Sequence, residues 1–312
     1  MTMDANKLKR TSALFVAFFS AFAVAQVAQP EPSEIPPLTV TFPFFVLNDH
    51  GNSIDRLDQS HLSMRDNKRP PQSVIAIHSP RELPVRLGLL IDTSKSEGSS
   101  GLYQPAIKAA VDFLNNTLSG GDDKAFLSTF SSELKGTNFL TKDKIGGLIT
   151  STTAVDPNGG TLLFDAIYVA CKERLLQDST QPARRVLVVV TDGGDNMSHA
   201  NHKQSIAAAQ EAGAAIFVIG TSQNADDRLD SGRLQEFADK TGGRAFLHLK
   251  RQDLPKAFEA ISEQIGEMWT ITFVPATVSQ PDYHSIQLKL ASDKKIKLRA
   301  PEGYYLHQGN QK

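Results

Sequence analysis

From Pro84 to Met268 the chain alternates strand-length apolar runs with helical stripes, and that alternation leaves few folds open. The runs are Val85 to Ile91, Ala125 to Phe130, Arg185 to Val190, Ala215 to Ile219 and Arg244 to Leu249. Each is short, strand-length and bounded by polar residues, as expected of a strand buried on both faces. Between them lie residues at helical spacing: Ile107, Val111, Leu114 and Leu118; Leu163, Ile167 and Cys171; Leu254, Phe258, Ile261 and Ile265. The pattern predicts an α/β domain, a doubly wound, mainly parallel, Rossmann-like sheet with helices on both faces. Gly120-Gly121 and Gly242-Gly243 are placed to end helices, and the more polar Leu134 to Leu140 to form an edge strand.

The flanks follow a period of two. Ile286, Leu288 and Leu290 alternate with polar residues, as do Ile296 and Leu298, with Ser292-Asp293-Lys294 as the turn between them. Upstream, Leu38 to Leu47, Leu62 to Arg65 and Ser73 to Ile77 also read as strands. Either flank alone offers too few strands for a stable sheet, so residues 38–83 and 269–312 are expected to build one small β module around the domain 84–268. Val74, Ile75 and Ile77 would supply one apolar face, and Ile286, Leu288, Ile296 and Leu298 the other.

Residues 1–25 have the layout of a signal peptide: basic Lys7, Lys9 and Arg10, an apolar stretch, then Ala23-Val24-Ala25 before Gln26. Residues 26–37 form a proline-rich lead. No later run is long enough to span a membrane, so a secreted or periplasmic product is expected. The formal net charge of −1 favours neither nucleic acid nor anionic lipid. One cysteine, Cys171, excludes an intrachain disulfide; it reads as a buried small apolar residue, with a reactive thiol as the alternative.

Three separated pieces carry the chemistry: Asp92-Thr93-Ser94-Lys95-Ser96, Gly159-Gly160-Thr161 and Thr191-Asp192-Gly193. Both acids stand where a buried parallel strand releases the chain into a loop, the usual ligand-binding edge of such sheets. Two carboxylates with three hydroxyls, and no thiol or imidazole, suit a hard divalent cation: Mg2+ first, with Mn2+ or Ca2+ as alternatives.

Taken in order, the DxSxS motif, the threonine after paired glycines and the TDG turn resemble a von Willebrand factor A domain with an intact metal-ion-dependent adhesion site. The wider chain resembles a group of secreted bacterial proteins with such domains. The resemblance implies that Ser94 and Ser96 bind the cation directly, that Asp92 and Asp192 bind directly or through water, and that Thr161 binds in one of two states. It also implies an open position filled by an Asp or Glu of a partner protein. An adjacent calcium site of the integrin type is not implied, since Gly98, Ser99 and Ser100 replace the acids it needs. Lys95 would either pair with Glu97 or favour an acidic partner.

Other candidates read more plainly. His199 and His202 are too few for zinc and fit a solvated loop entering the helix Gln204 to Ala212. Asp195 and Asn196 would support the site by hydrogen bonds or serve only as turn residues. Asp122-Asp123 and Asp226-Asp227 are loop and capping acids. No GxGxxG, GxxxxGK[ST] or GxSxG occurs, so a non-enzymatic, metal-dependent binding protein is expected. The alternatives are an assembly factor using the domain as scaffold, and a metal-assisted hydrolase.

Overall fold

The computed structural model describes residues 38–95, 103–145, 159–178, 181–221, 230–277, 283–291 and 296–306. The expected leader and lead, Ser96, the Asp226-Asp227 pair and the Ser292-Asp293-Lys294 turn lie outside them. In chain order the first strands are β1 (Val40–Leu47), β2 (Leu62–Asp66) and β3 (Ser73–His78). There follow β4 (Val85–Asp92), α1 (Tyr103–Thr117), β5 (Lys124–Phe130), β6 (Leu134–Gly136) and β7 (Leu140–Thr141). Next come α2 (Leu163–Val169), continued as a wider π turn over Ala170–Leu175, then β8 (Arg184–Thr191), α3 (His202–Ala212) and β9 (Ala214–Thr221). The chain then forms α4 (Ser231–Thr241), β10 (Ala245–Leu249), α5 (Leu254–Gly266), β11 (Trp269–Val274), β12 (Tyr283–Leu290), β13 (Lys297–Arg299) and β14 (Gly303–Tyr305).

The central sheet has the order β10-β9-β8-β4-β5-β6, with β7 also on β5. Its first five strands run parallel, and the short β6 and β7 pair with β5 antiparallel. Successive side chains of a strand point to opposite faces, and this divides the core in two. Leu87, Leu89, Ile91, Val186, Val188 and Val190 meet α1 and α5 on one face. Leu90, Leu187, Val189, Ile216 and Val218 meet α2, α3 and α4 on the other. Cys171 is in this second core, fully buried, and burial pushes its thiol well above the usual range, so it is an inert apolar residue. From β4 the chain goes to β5 on one side, and its next parallel strand, β8, lies on the other side of β4. The winding direction therefore switches between β4 and β8.

The flanks interleave rather than face each other. One antiparallel sheet has the order β13-β1-β11-β3 and the other β14-β12-β2, so each mixes strands from both ends of the chain. Trp269–Val274, absent from the strands expected above, is central to the first, with Phe42 opposite Ile271 on one side and Ile77 on the other. Their shared core is Phe42, Phe44, Val46, Met64, Trp269, Ile271, Phe273, Ile286 and Tyr304. Val74 and Ile75 are not part of it: on the edge strand β3 they are 44% and 53% exposed. Pairing through the backbone placed them at an edge, where an apolar face has nothing to cover it.

Asp66 ties the second sheet together from within. Fully buried, it accepts from Tyr304 Oη at 3.1 Å and Ala276 N at 2.7 Å, and pairs with His284 Nδ1 at 2.8 Å. Phe45 points the other way from Phe44, into the central core, edge-on to Phe217 at 5.9 Å with the Arg299 guanidinium over its ring. At Gly213, which ends α3 with φ 61°, a Cβ would strike the Thr41 carbonyl of β1, so the flank backbone packs directly on the domain.

Because Phe45 belongs to the domain core, Phe45→Ala should destabilise the whole unit of residues 37–312 by about 3–5 kcal/mol, in one transition. Urea unfolding followed by both Trp269 fluorescence and far-UV circular dichroism checks this. A separate early fluorescence transition would mean that the flank sheets unfold on their own.

Candidate functional site

The switch between β4 and β8 opens a crevice at the carboxyl ends of both strands, where loops diverge and a ligand can enter. Ile91 is in register with Val190, which brings Asp92 and the Thr191-Asp192 turn side by side. Asp92 is 2% exposed. Its Oδ1 accepts from the Ser94 backbone N–H at 2.9 Å, its Oδ2 accepts from Thr191 Oγ1 at 2.7 Å, and the Ser94 hydroxyl donates to it as well. Burial above all, and then the charge of Asp192, push this carboxyl up to about 7 against these stabilising hydrogen bonds. Asp192 itself is half-buried and accepts the Gly194 N–H at 3.0 Å. Thr93 fastens the loop to β5 through N–H and hydroxyl bonds to the Phe130 carbonyl.

Thr161 reaches the same place by a clasp between two loops. Lys95 N donates to the Gly159 carbonyl at 3.4 Å, which links the first motif to the second. Gly160 N donates to Ser132 Oγ and Thr161 N to Asn196 Oδ1, each at 2.9 Å. Asn196 N and Met197 N return bonds to the Thr161 carbonyl. Asp195 Oδ2 caps the start of α2 by accepting Phe164 N at 2.9 Å and also receives Ser198 Oγ, while Asp165 accepts His199 N and Ala200 N. Thr161 thus engages its backbone in the clasp, and the residue is buried.

Asp92 is in direct contact with Ser94 and with the turn that carries Asp192, and the segment of Thr161 is tied to the first motif through the Lys95–Gly159 bond; Ser96 lies outside the described residues. Asp195 and Asn196 bond the site's loop and are more than turn residues. Ser132, Asp165 and Ser198 complete the scaffold although no motif singled them out, and Thr191 does so from within the TDG turn. His199 and His202 do not meet. His199 is exposed beside Asp165, whereas the His202 ring is packed 4.5 Å from Phe237 and donates through Nε2 to the Arg233 carbonyl, so it is not a solvated loop residue.

The donor set is one a divalent cation fits. A buried carboxylate whose charged neighbour is another carboxylate is an unfavourable arrangement alone, and a cation between them relieves it. Ser94 and Thr161, the other described residues of the motif pieces, carry hydroxyls, hard neutral donors of the kind Mg2+ accepts.

A sequence profile of the von Willebrand factor type A domain matches residues 87–260. No curated protein sequence matches the chain. Among solved structures, a von Willebrand factor type A protein from Catenulispora acidiphila superposes with a TM-score of 0.51 at 12% identity, covering 86% of this chain and 73% of that one. Proximal thread matrix protein 1 from the mussel byssus does so with a TM-score of 0.50 at 15% identity, covering 71% of this chain and 50% of that one. At these identities the likeness is one of fold.

The raised Asp92 carboxyl makes its own contribution to the pH dependence of the metal-free protein's stability. In an unfolded chain it ionises near 3.8, in the folded chain near 7. Between these values only the folded state holds the proton, so stability falls as pH rises through the window, by ~4 kcal/mol in all. In EDTA, Asp92→Asn should therefore gain on the wild type in urea-unfolding free energy as pH is raised from about 5 to 8. A gap that stays constant over that range would show that Asp92 carries no such buried charge.

Proposed function

The chain belongs to the von Willebrand factor type A domain family, and on that premise we propose that it is a non-enzymatic binding protein that works through a divalent cation. Asp92, Ser94, Thr161 and Asp192 would hold the ion, Mg2+ by preference, with Ser96 added on its motif position alone. The bound cation supplies positive charge that attracts an Asp or Glu of a partner protein. The expected leader places this activity outside the cytoplasm, and among the described residues no helix is long and apolar enough to cross a membrane.

One observation carries the reading: the Asp92 carboxylate is kept from water at the switch point, with a second acid beside it and hydroxyls around it. Few direct protein charges leave a cation electrophilic, and therefore receptive to one more carboxylate. The residues of this chain act by holding and orienting: the Ser94 N–H and the Thr191 hydroxyl fix the two Asp92 oxygens, and the Asn196 clasp fixes Thr161. A hydrolytic role draws less support. The His202 ring is packed against Phe237 and gives its Nε2–H to the Arg233 carbonyl, so it is not offered as a general base.

Titration calorimetry should show one Mg2+ or Mn2+ site in the wild type that is lost in Asp92→Ala and Asp192→Ala, while circular dichroism shows both variants folded. Affinity should fall as pH drops below about 7, because the proton on Asp92 competes with the ion. A partner captured from the extracytoplasmic fraction in Mg2+ should be released by EDTA. Equal metal affinity in the wild type and both variants would refute the metal site; capture unchanged in EDTA would favour a scaffold role instead.

A further inference from the structure

Of the described methionines Met197 alone meets solvent: it is 47% exposed, against 9% for Met64 and 0% for Met268. Cys171, the one thiol, is fully buried and pushed by that burial well above the usual thiol range, and Trp269 is buried as well. Among the described residues a mild two-electron oxidant therefore finds one sulfur within reach, since susceptibility follows exposure.

What this side chain touches gives its oxidation a consequence. A Cβ on Gly160 would collide with Met197 Sδ and Cγ and with Asn196 Oδ1. The backbone of Gly160 is not in the left-handed region, so the absent side chain makes room for the thioether rather than for a turn. The next residue is Thr161, and the pair Asn196-Met197 holds its backbone from both sides. Asn196 Oδ1 accepts the Thr161 N–H at 2.9 Å, and the Thr161 carbonyl accepts the N–H groups of Asn196 at 3.1 Å and of Met197 at 3.2 Å. Met197 thus bears on the residue before Thr161 through its sulfur and on Thr161 itself through its backbone.

We propose that Met197 is a site of reversible oxidation to the sulfoxide, and that this modification loosens Thr161 and weakens the cation site. In the step, a sulfur lone pair attacks one oxygen of hydrogen peroxide and the O–O bond breaks as the S–O bond forms. The departing hydroxide takes the proton of the transferred oxygen and leaves as water, so the sulfur is oxidised by two electrons and the peroxide reduced by two. A thioether is apolar enough to pack on bare backbone, whereas a sulfoxide is polar, chiral and strongly hydrated. The sulfur lies close enough to Gly160 to exclude a Cβ there, so a sulfur that carries an oxygen and its hydration has to lift away. The backbone of Asn196-Met197 shifts with it, and the three bonds on Thr161 lengthen. The inference rests on the cation reading of the preceding section and adds a regulation of that site.

The test treats the full chain, free of metal, with hydrogen peroxide, quenches it at intervals and maps the sulfoxide by peptide mass spectrometry. Met197 should be converted well before Met64 and Met268, which should react only in urea. Calorimetry should then show a Mg2+ affinity about tenfold lower in the oxidised protein, the scale of loss when a group supporting a metal ligand is disturbed. Epimer-specific methionine sulfoxide reductases should restore it, and in Met197→Leu the affinity should be the same before and after peroxide. Hydrogen exchange at the Thr161 amide, a readout that needs no metal, should quicken on oxidation of the wild type and not of Met197→Leu. The inference is overturned if Met197 reacts no faster than the buried methionines, if the oxidised protein binds Mg2+ and protects the Thr161 amide as the untreated protein does, or if Met197→Leu loses affinity to peroxide as the wild type does. Absence of Mg2+ binding to the untreated wild type is a different failure: it removes the cation reading, while the amide exchange still decides whether oxidation of Met197 loosens Thr161.

Discussion

A carboxylate held out of water at the end of the central strand is the constraint on which the rest of the site depends. Asp92 cannot be hydrated, so three hydrogen bonds from Ser94 and Thr191 take the place of water. Those bonds fix the direction of its oxygens and bring the TDG turn against the first strand. They do not neutralise its charge, and Asp192 makes matters worse. The arrangement is stabilised by a proton at low pH and would be stabilised by a cation at neutral pH. An ion that binds only the folded state would stabilise it, by an amount that grows with the logarithm of its concentration relative to its dissociation constant.

The second acid and the threonine come from loops that would otherwise be free to move, and the clasp across Gly159 to Ala200 removes much of that freedom. Many of its bonds pair a side-chain oxygen of one segment with a backbone N–H of the other: Asn196 accepts from Thr161, Asp195 from Phe164, and Asp165 from His199 and Ala200. Loop backbone pinned in this way loses its entropy on folding and not on ligand binding, which favours affinity.

The alternation of runs and stripes made the central sheet and the position of Asp92 and Asp192 readable before any coordinates, because a buried parallel strand must be apolar on both faces and must end where polarity begins. Edges were less readable. Val74 and Ile75 have the composition of core residues, yet β3 ends its sheet and leaves them exposed, since nothing local encodes which strand lies outermost. Trp269–Val274 alternates apolar and polar residues, but Thr270 and Thr272 are buried on the face that alternation assigns to solvent. The helix Ser231–Thr241 carries too few large apolar residues to stand out, with Leu234 and Phe237 its main buried ones. At the site, the carboxylates and the hydroxyls announced themselves through motifs. The clasp did not, because Asp165, Ser132 and Ser198 act on backbone groups that only the folded chain brings near.

The pairing of β1 with β11 has a kinetic side. Val40 lies opposite Phe273, so the first strand of the folded unit finds its partner only after the entire domain between them has been made. Closing so long a loop is slow compared with the local contacts of the α/β core, and the domain between should fold first. During that interval Phe42, Phe44 and Phe45 stand in a strand without neighbours, the kind of segment that recruits another chain. Pro43 sits in their midst, opposite Thr270 of β11 and ahead of the stretch of β1 that pairs with β13. In the waiting chain a proline, which has no N–H to donate, spoils β1 as a template for another strand and so guards the route to the native sheet.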